Sequence, residues 1–417
     1  MNSKTTQENG VTFILRRLQM VGIFPFYFQV GALVIFVIII SLLFVTDKFK
    51  MVNYGMELTW NILWPLFPLS LLLFGKILCS VCPISFVNVF IERFNRRFDF
   101  LSGLSHKYIT GRSIAFAMAV LVAVCVGSIN VNKSSGLTFV LLLLFPFTAV
   151  LVILFVSKTL FCKSVCPVGF ITWIYSRFSI IRIETCGEGC PDSFMYQEED
   201  CLKNCSRNKV GLSLNPPLMR DTYPDVAFPE IFFPPVLIAI LCLFQFNYSY
   251  IMFLFEGAAE SFPLIINSFH TFIVLLVLLT CLAALFISGF FYSISNLFVR
   301  DQTLLKRSFF CLVPIAILFH IYSMLRQFVS MSAVSTAMNL NTLLKSITAS
   351  SIENVFIITG FLFITLGTLL TCRSFQLLIR KTGKTGPNAI LFQVFMYCYF
   401  SLFVFIAVYT VKYTIVR

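Results

Sequence analysis

The sequence predicts an all-α, polytopic membrane protein of about nine transmembrane helices, with interfacial amphipathic helices and a small cytoplasmic Cys-rich insert. Three observations carry this expectation. Of 417 residues, 58% are hydrophobic and only 12% charged, where an ordinary globular domain is about a quarter charged. The mean hydropathy is +0.90. The apolar residues, 50 Phe among them, gather into runs of the roughly 20 residues that a helix needs to cross the hydrocarbon core. A soluble enzyme is excluded as a leading reading. The net charge of +13 would suggest nucleic acid as a partner in a soluble protein. Here the inside-positive bias of membrane proteins accounts for the excess, so the expected partners are lipid and a redox protein, with no nucleic acid.

Nine apolar runs follow one another at 27–46, 58–78, 113–131, 137–157, 232–254, 264–290, 308–329, 354–372 and 389–411. Their connections alternate in charge. With the N-terminus inside, the inside segments hold 24 of the 31 Lys and Arg residues, which sets the orientation and places the C-terminus outside. Arg16 and Arg17 precede a run long enough to span, with no small-residue cleavage site after it, so the first span is expected to be retained. Two inside connections, 79–112 and 158–231, are long enough to hold structure of their own. The second closes on Pro216, Pro217, Pro224, Pro229, Pro234 and Pro235, the composition of an extended linker. The chain thus divides into a membrane half, 1–182, a Cys-rich insert and linker, 183–231, and a five-span half, 232–417.

The cysteines define the chemistry. Of 14, six (Cys125, Cys242, Cys281, Cys311, Cys372 and Cys398) stand singly in or beside apolar runs, where Cys behaves as a small hydrophobe. Eight form close pairs: Cys79/Cys82, Cys162/Cys166, Cys186/Cys190 and Cys201/Cys205. The first two pairs belong to an internal repeat. Ser80-Val81-Cys82-Pro83 follows the second span and Ser164-Val165-Cys166-Pro167 follows the fourth. Arg93-Phe94 and Arg177-Phe178 stand at matching distances beyond. Each copy is two spans, a Cys pair and a short helix. In 84–98, Val87, Phe90, Ile91, Phe94 and Phe98 recur at helical spacing opposite Asn88, Glu92, Arg93, Arg96 and Arg97, a pattern that lies in the membrane interface. Pro83 and Pro167 suit a first helical turn. Cys82 and Cys166 then fall at helix N-termini, where free amides and the dipole favour a thiolate.

Downstream, Cys186-Gly187-Glu188-Gly189-Cys190-Pro191 and Cys201-Leu202-Lys203-Asn204-Cys205 lie in a polar stretch, with two glycines that let the backbone turn. Eight cysteines make two sets of four, the number that two [4Fe–4S] clusters require. Structural zinc also takes four thiolates, although its pairs are usually closer to C-x2-C. A thiol–disulfide relay and plain unliganded thiols complete the alternatives; a reducing cytoplasm disfavours the relay.

These motifs resemble a known family. Gly75-Lys76-Ile77-Leu78-Cys79 with Cys82-Pro83, and Leu160-Phe161-Cys162 with Cys166-Pro167-Val168-Gly169, are similar to the paired C-x3-C-P motifs of the membrane polyferredoxins. That group includes the quinol dehydrogenase membrane subunit of periplasmic nitrate reductase systems and the nitrous-oxide reductase maturation factor. The resemblance covers about 58–205. It implies two [4Fe–4S] clusters, membrane-proximal ligation by Cys79, Cys82, Cys162 and Cys166, and a ferredoxin-like insert supplied by Cys186, Cys190, Cys201 and Cys205. It further implies an oxidoreductase component of a bacterial inner membrane, passing electrons between a cytoplasmic or quinol donor and a membrane or periplasmic partner. The first motif departs from the pattern by having two intervening residues. The insert reads C-x3-C-P-x9-C-x3-C in place of the usual ferredoxin run.

In the second half, His270 and His320 are the intramembrane ionisable residues that default to a functional hypothesis, here haem b or a metal. Tyr54, Trp60 and Trp64 gather at the outer end of the second span, as an interfacial belt or a quinone pocket would. Gly383-Lys384-Thr385 resembles the end of a P-loop, but no strand precedes it, and a basic inside loop is the expectation. His106 belongs to a solvated basic loop. Nucleophile triads and catalytic carboxylate pairs are not visible.

Overall fold

The structure, a computed structural model, describes residues 26–49, 54–75, 77–84, 86–87, 113–128, 134–155, 161–162, 165–176, 178–184, 211–214, 226, 228–245, 248–261, 268–329, 349–383 and 386–413. Its architecture is helical, with one small two-stranded ribbon. In order it runs α1 (Phe26–Phe49), α2 (Tyr54–Phe74), α3 (Ile77–Ser80), α4 (Ser113–Ser128), α5 (Ser135–Phe155) and α6 (Pro167–Ser176). The ribbon strands β1 (Ile181–Glu184) and β2 (Gly211–Leu214) follow. Then come α7 (Phe233–Gln245), α8 (Tyr248–Ser261), α9 (Phe269–Phe298), α10 (Gln302–Phe310), α11 (Val313–Val329), α12 (Ala349–Thr382) and α13 (Pro387–Tyr413).

Among the described residues seven helical stretches are long and apolar enough to cross a membrane: Phe26–Val45, Tyr54–Phe74, Ser135–Val152, Thr271–Phe298, Gln302–Arg326, Val355–Thr382 and Pro387–Val411. Each coincides with an expected span. The other two expected spans are described over shorter helical stretches. The run at 113–131 shows 16 described helical residues, Ser113–Ser128. The run at 232–254 is two helices, α7 of 13 residues and α8 of 14. At 1.5 Å per residue the described helical lengths, taken singly, are shorter than the ~30 Å of a hydrocarbon core. Residues 129–131 and 246–247 of these runs lie outside the described residues.

The chain forms two compact units. The first comprises Met1–Met56, Leu69–Ala119 and Ser135–Pro217; the second comprises Glu57–Pro68, Val120–Ser134 and Leu218–Arg417.

In the first unit α1 packs on α5 and on the start of α2. Gly55 makes the latter contact possible, since a Cβ there would stand 2.9 Å from the Leu43 backbone nitrogen. Within α2, Glu57–Leu63, which belongs to the second unit, is wound as a π-helix. Pro65 and Pro68 follow it and cannot donate the backbone bonds that would hold α-helical register. The helix stops at Gly75, which takes φ +50 and donates its amide to the Leu71 carbonyl at 2.8 Å, a left-handed C-terminal cap.

The ribbon pairs Ile181 with Leu214 and Glu184 with Gly211, antiparallel. It stands outside the all-α expectation, since four alternating residues are too short a signal to read from sequence.

The second unit is a bundle in which α7 packs against α9, α11 and α13, and α11 packs most extensively against α12. The stretch Gln302–Arg326 is its core, 78% buried against 22% for Val355–Thr382. Two glycines one heptad apart let α12 approach closely. A Cβ on Gly360 would stand 2.8 Å from the Tyr322 ring, and one on Gly367 would stand 2.8 Å from the Ile315 Cα. Small residues play this part wherever helices pack without a hydrophobic drive between them. Hydroxyls knit the remaining seams: Tyr399 Oη donates to Ser288 Oγ at 3.2 Å, and Gln302 accepts from Tyr292 Oη at 2.6 Å. The outward faces are apolar. Phe286 and Leu297 are 76% and 78% exposed, which in a helix of this composition means contact with lipid.

Candidate functional site

The candidate site is the meeting of the two Cys-Pro copies inside the first unit. The first copy turns immediately after α2. Leu78 donates to the Gly75 carbonyl at 3.3 Å and Cys82 donates to the Cys79 carbonyl at 3.4 Å, so α3 is a single turn that sets Cys79 and Cys82 on one bend. The second copy turns in a similar way. The amides of Val165 and Cys166 both reach the Phe161 carbonyl, at 2.9 and 2.8 Å, and α6 begins at Pro167 with Phe170 donating to the Cys166 carbonyl. Cys166 thus occupies the N-cap position that its sequence context predicts. Its sulfur accepts the Gly169 amide at 3.2 Å, satisfying one of the orphan donors of a helix start.

Three contacts tie the copies to each other. The turn α3 packs on α6. Ile84, two residues beyond Cys82, joins the apolar cluster of Ala149, Phe161 and Cys166. The end of α2 meets the exit from α6, with Ile180 donating to the Leu72 carbonyl at 3.0 Å. A Cβ on Gly75 would there stand 2.6 Å from Ser179 Oγ. The glycine is therefore required twice, by its φ and by its neighbour.

The repeat predicts an interfacial helix with one polar face for α6. Instead, eight of its ten residues are buried, Thr172, Trp173, Ile174, Tyr175 and Ser176 among them. Its apolar and small side chains are enclosed by α3, the α2 terminus and Phe116, whose ring lies 5.8 Å from that of Phe170. The corresponding helix of the first copy, 84–98, falls largely outside the described residues.

The electrostatics of Cys166 are set mainly by this enclosure. Burial pushes its thiol up to about 12. The Gly169 amide draws it down, the neighbouring Cys82 adds to the rise, and the Val168 amide again lowers it. The helix-terminal donors expected to favour a thiolate are in place, but desolvation outweighs them. A bound metal cation would supply the compensating charge.

Gly169 completes the turn. A Cβ there would collide with the Cys162 carbonyl oxygen, so this backbone approaches the Cys162 peptide as only glycine allows. Gly169 belongs to the sequence motif, but nothing in the motif signals this role. Thr172, Ser179 and Ile84 carry no sequence signal.

Cys79, Cys82, Cys162 and Cys166 are all thiols rather than disulfides. Among the described residues no group of three or more Cys, His, Asp or Glu side chains is gathered closely enough to hold a metal ion. The donor chemistry, four free thiols, is that of an iron–sulfur or zinc centre, and of these thiols Cys82 acts electrostatically on Cys166. Cys186, Cys190, Cys201 and Cys205 lie outside the described residues. So does His106.

The ribbon shows where that segment is anchored. β1 begins at Ile181, next to the Ile180–Leu72 hydrogen bond, and β2 returns to it. Both ends of the stretch holding the last four cysteines are thus fixed beside the junction of the two copies. In the second unit, His270 lies on α9 and His320 on α11, two helices that share α7 as a neighbour. Cys242, Cys281 and Cys311 are buried in the bundle, as lone apolar-run cysteines are expected to be.

No family model and no solved structure matches this chain. It is similar to an uncharacterized protein of Methanocaldococcus jannaschii, 26% identical over 162 residues, an alignment covering 33% of this chain and 65% of that one. The chain therefore spans just under two thirds of the relative's length, and what it binds or transfers is argued from its own residues.

Proposed function

We propose that this chain is a membrane-bound iron–sulfur electron-transfer protein of the polyferredoxin type. Two [4Fe–4S] clusters are held by Cys79, Cys82, Cys162, Cys166, Cys186, Cys190, Cys201 and Cys205. Electrons pass from a cytoplasmic or quinol donor to a membrane or periplasmic redox partner. The clusters supply the redox chemistry. The chain's own residues position the thiols, exclude water through the apolar cluster around Cys166 and Phe161, and direct the Gly169 amide at a ligating sulfur, a bond type that tunes cluster potential. In this reading nine segments cross the cytoplasmic membrane, with α4 and the α7–α8 pair completing the count and the Cys-bearing connections inside.

The observation that supports it most is the packing of the two Cys-Pro copies on each other: α3 lies on α6, Ile84 joins the cluster of Phe161 and Cys166, and the segment carrying the other four cysteines departs from Ile180, which is bonded to Leu72. A thiol–disulfide relay gains some support from the electrostatic influence of Cys82 on Cys166. It is weakened by the burial that holds Cys166 protonated, since the thiolate is the attacking form. A zinc scaffold with four thiolate ligands uses the same donors. Anaerobic purification in detergent with metal and sulfide analysis separates the three. About eight iron and eight sulfide per chain, with a broad visible absorption bleached by dithionite, is expected for two cubanes. Colourless protein with stoichiometric zinc, or metal-free protein with a trapped Cys82–Cys166 disulfide, would overturn the proposal. A sharp Soret band in the same spectrum would bring His270 and His320 in as haem ligands.

A further inference from the structure

One side chain of the second unit breaks the apolar surface that its helices turn outward. Exposed residues follow one face of α12 along its length, from Val355, Leu362 and Leu369 to Arg373, Gln376 and Arg380. Gly360 and Gly367, which lie against α11, are on the opposite face. Val355, Leu362, Leu369 and Gln376 recur every seven residues, with Leu366, Arg373 and Arg380 in a second column beside them. That is the spacing at which membrane helices pack side by side.

Ring contacts fix the depth of Arg373. Phe375 packs between Phe392 and Phe400 of α13, with centroids 6.0 and 5.5 Å away. Arg373, half a turn before it, therefore stands level with the residues near Cys398. That level is the middle of Pro387–Val411, a stretch of 25 residues long enough to span. Helix α9 agrees: Phe291 lies 4.7 and 5.0 Å from Phe395 and Tyr399, and the exposed Leu297 lies six residues nearer the end where α12 passes to α13. On α13 the exposed Ile390, Leu391 and Val394 lie on that same side of Arg373. Its guanidinium thus faces outward with lipid-facing apolar side chains both above and below it. A phospholipid phosphate stays outside the ~30 Å hydrocarbon core, about 15 Å from that level. Helical geometry leans the Arg373 side chain toward the start of α12, across the span rather than to its nearer end.

A charge at this depth is costly and is met by a partner of opposite sign. The spans described for this chain supply none: in the seven stretches long enough to cross, the one acidic residue is Glu57, near the start of Tyr54–Phe74. A second copy meeting this face about a two-fold axis would set Arg373 against its own counterpart. The complement of the face is apolar over one half and carboxylate-bearing at the middle. We propose that the outward face of α12 docks a transmembrane helix of a different subunit, with apolar side chains along Val355–Leu369 and an Asp or Glu level with Arg373. Gln376, almost one turn on, offers that carboxylate a further donor. The inference rests on no assignment of the cysteines.

The test uses the full chain, labelled at its N-terminal amine and reconstituted in phosphatidylcholine bilayers. Energy transfer reads its binding to a dilute transmembrane peptide of leucines that carries one Glu at mid-length. Peptides with Gln or Leu in that place are the controls. The Glu peptide is expected to bind about tenfold more tightly than the Leu peptide, with the Gln peptide between them. Arg373→Leu should bind the Glu and Leu peptides alike, and Arg373→Glu should prefer a peptide with Lys in the same place. Arg380→Leu, nearer the end of the span, should keep the wild-type preference. Equal binding of the three peptides by the wild-type chain would overturn the proposal, and so would a preference that survives Arg373→Leu. Displacement of the Glu peptide by a small fraction of phosphatidylglycerol would assign the face to anionic lipid and overturn it as well. If Arg373→Glu fails to insert, Arg373→Leu, which makes the face more apolar, carries the test alone.

Discussion

The two units use glycine for opposite ends. In the second unit Gly360 and Gly367 sit inside a 34-residue helix and serve only to let a neighbouring helix come close. In the first, Gly75 and Gly169 sit at chain reversals: Gly75 lies against Ser176 and Ser179, and Gly169 lies against the Cys162 peptide beside the Cys166 thiol. A crowded helix pair can yield by sliding or tilting, at a cost in packing. A crowded turn has no such freedom, because the groups it would displace are the backbone of the motif itself. The contrast separates a scaffold, in which many arrangements of similar volume would serve, from a site in which position is the property being maintained.

That contrast can be broken by experiment. The largest effect is expected at Cys166: Cys166→Ser should remove visible absorption and about half the iron or more while the detergent-purified protein remains folded. Retained colour in both this variant and Cys82→Ser would remove these residues as ligands. Next comes Gly169→Ala, whose Cβ meets the Cys162 carbonyl. It should lose metal and also lower stability by about 3 kcal/mol, the upper range for overpacking. Gly367→Ala should lower stability by about 1–3 kcal/mol through the Ile315 contact and leave metal content unchanged. If the two alanine variants lose metal equally, the distinction between turn and scaffold fails. Gly75→Ala imposes a left-handed alanine at about 1–2 kcal/mol, plus the encounter with Ser179. The double variant Gly75→Ala/Ser179→Gly should recover the second part and not the first, a coupling that a double-mutant cycle in urea reads directly. The smallest change is Tyr399→Phe, which removes the bond to Ser288 and should cost about 1 kcal/mol with no change in colour.

The sequence disclosed most where signals are long or repeated. Seven apolar runs became helices long enough to span, because hydropathy integrates over the length of the element. The pairing of the two copies was legible in Ser80-Val81-Cys82-Pro83 and Ser164-Val165-Cys166-Pro167, since duplication makes even a short motif visible. What it hid was short or collective. The β1–β2 ribbon rests on four residues per strand. The burial of α6 depends on neighbours distant in the chain, and an isolated pattern of apolar and polar positions reports only that two faces differ.

The β1–β2 ribbon has a consequence for how such a chain can change. By clasping Glu184 to Gly211, it makes the intervening stretch a closed loop whose two ends are already joined. Once a loop is closed at its base, doubling its length adds only about 0.6 kcal/mol of closure entropy. The four cysteines between the strands are therefore carried on a cassette: residues can be inserted, deleted or exchanged there with little penalty to the helices below. Selection can rework the cysteine-bearing stretch while the helices that anchor it stay as they are.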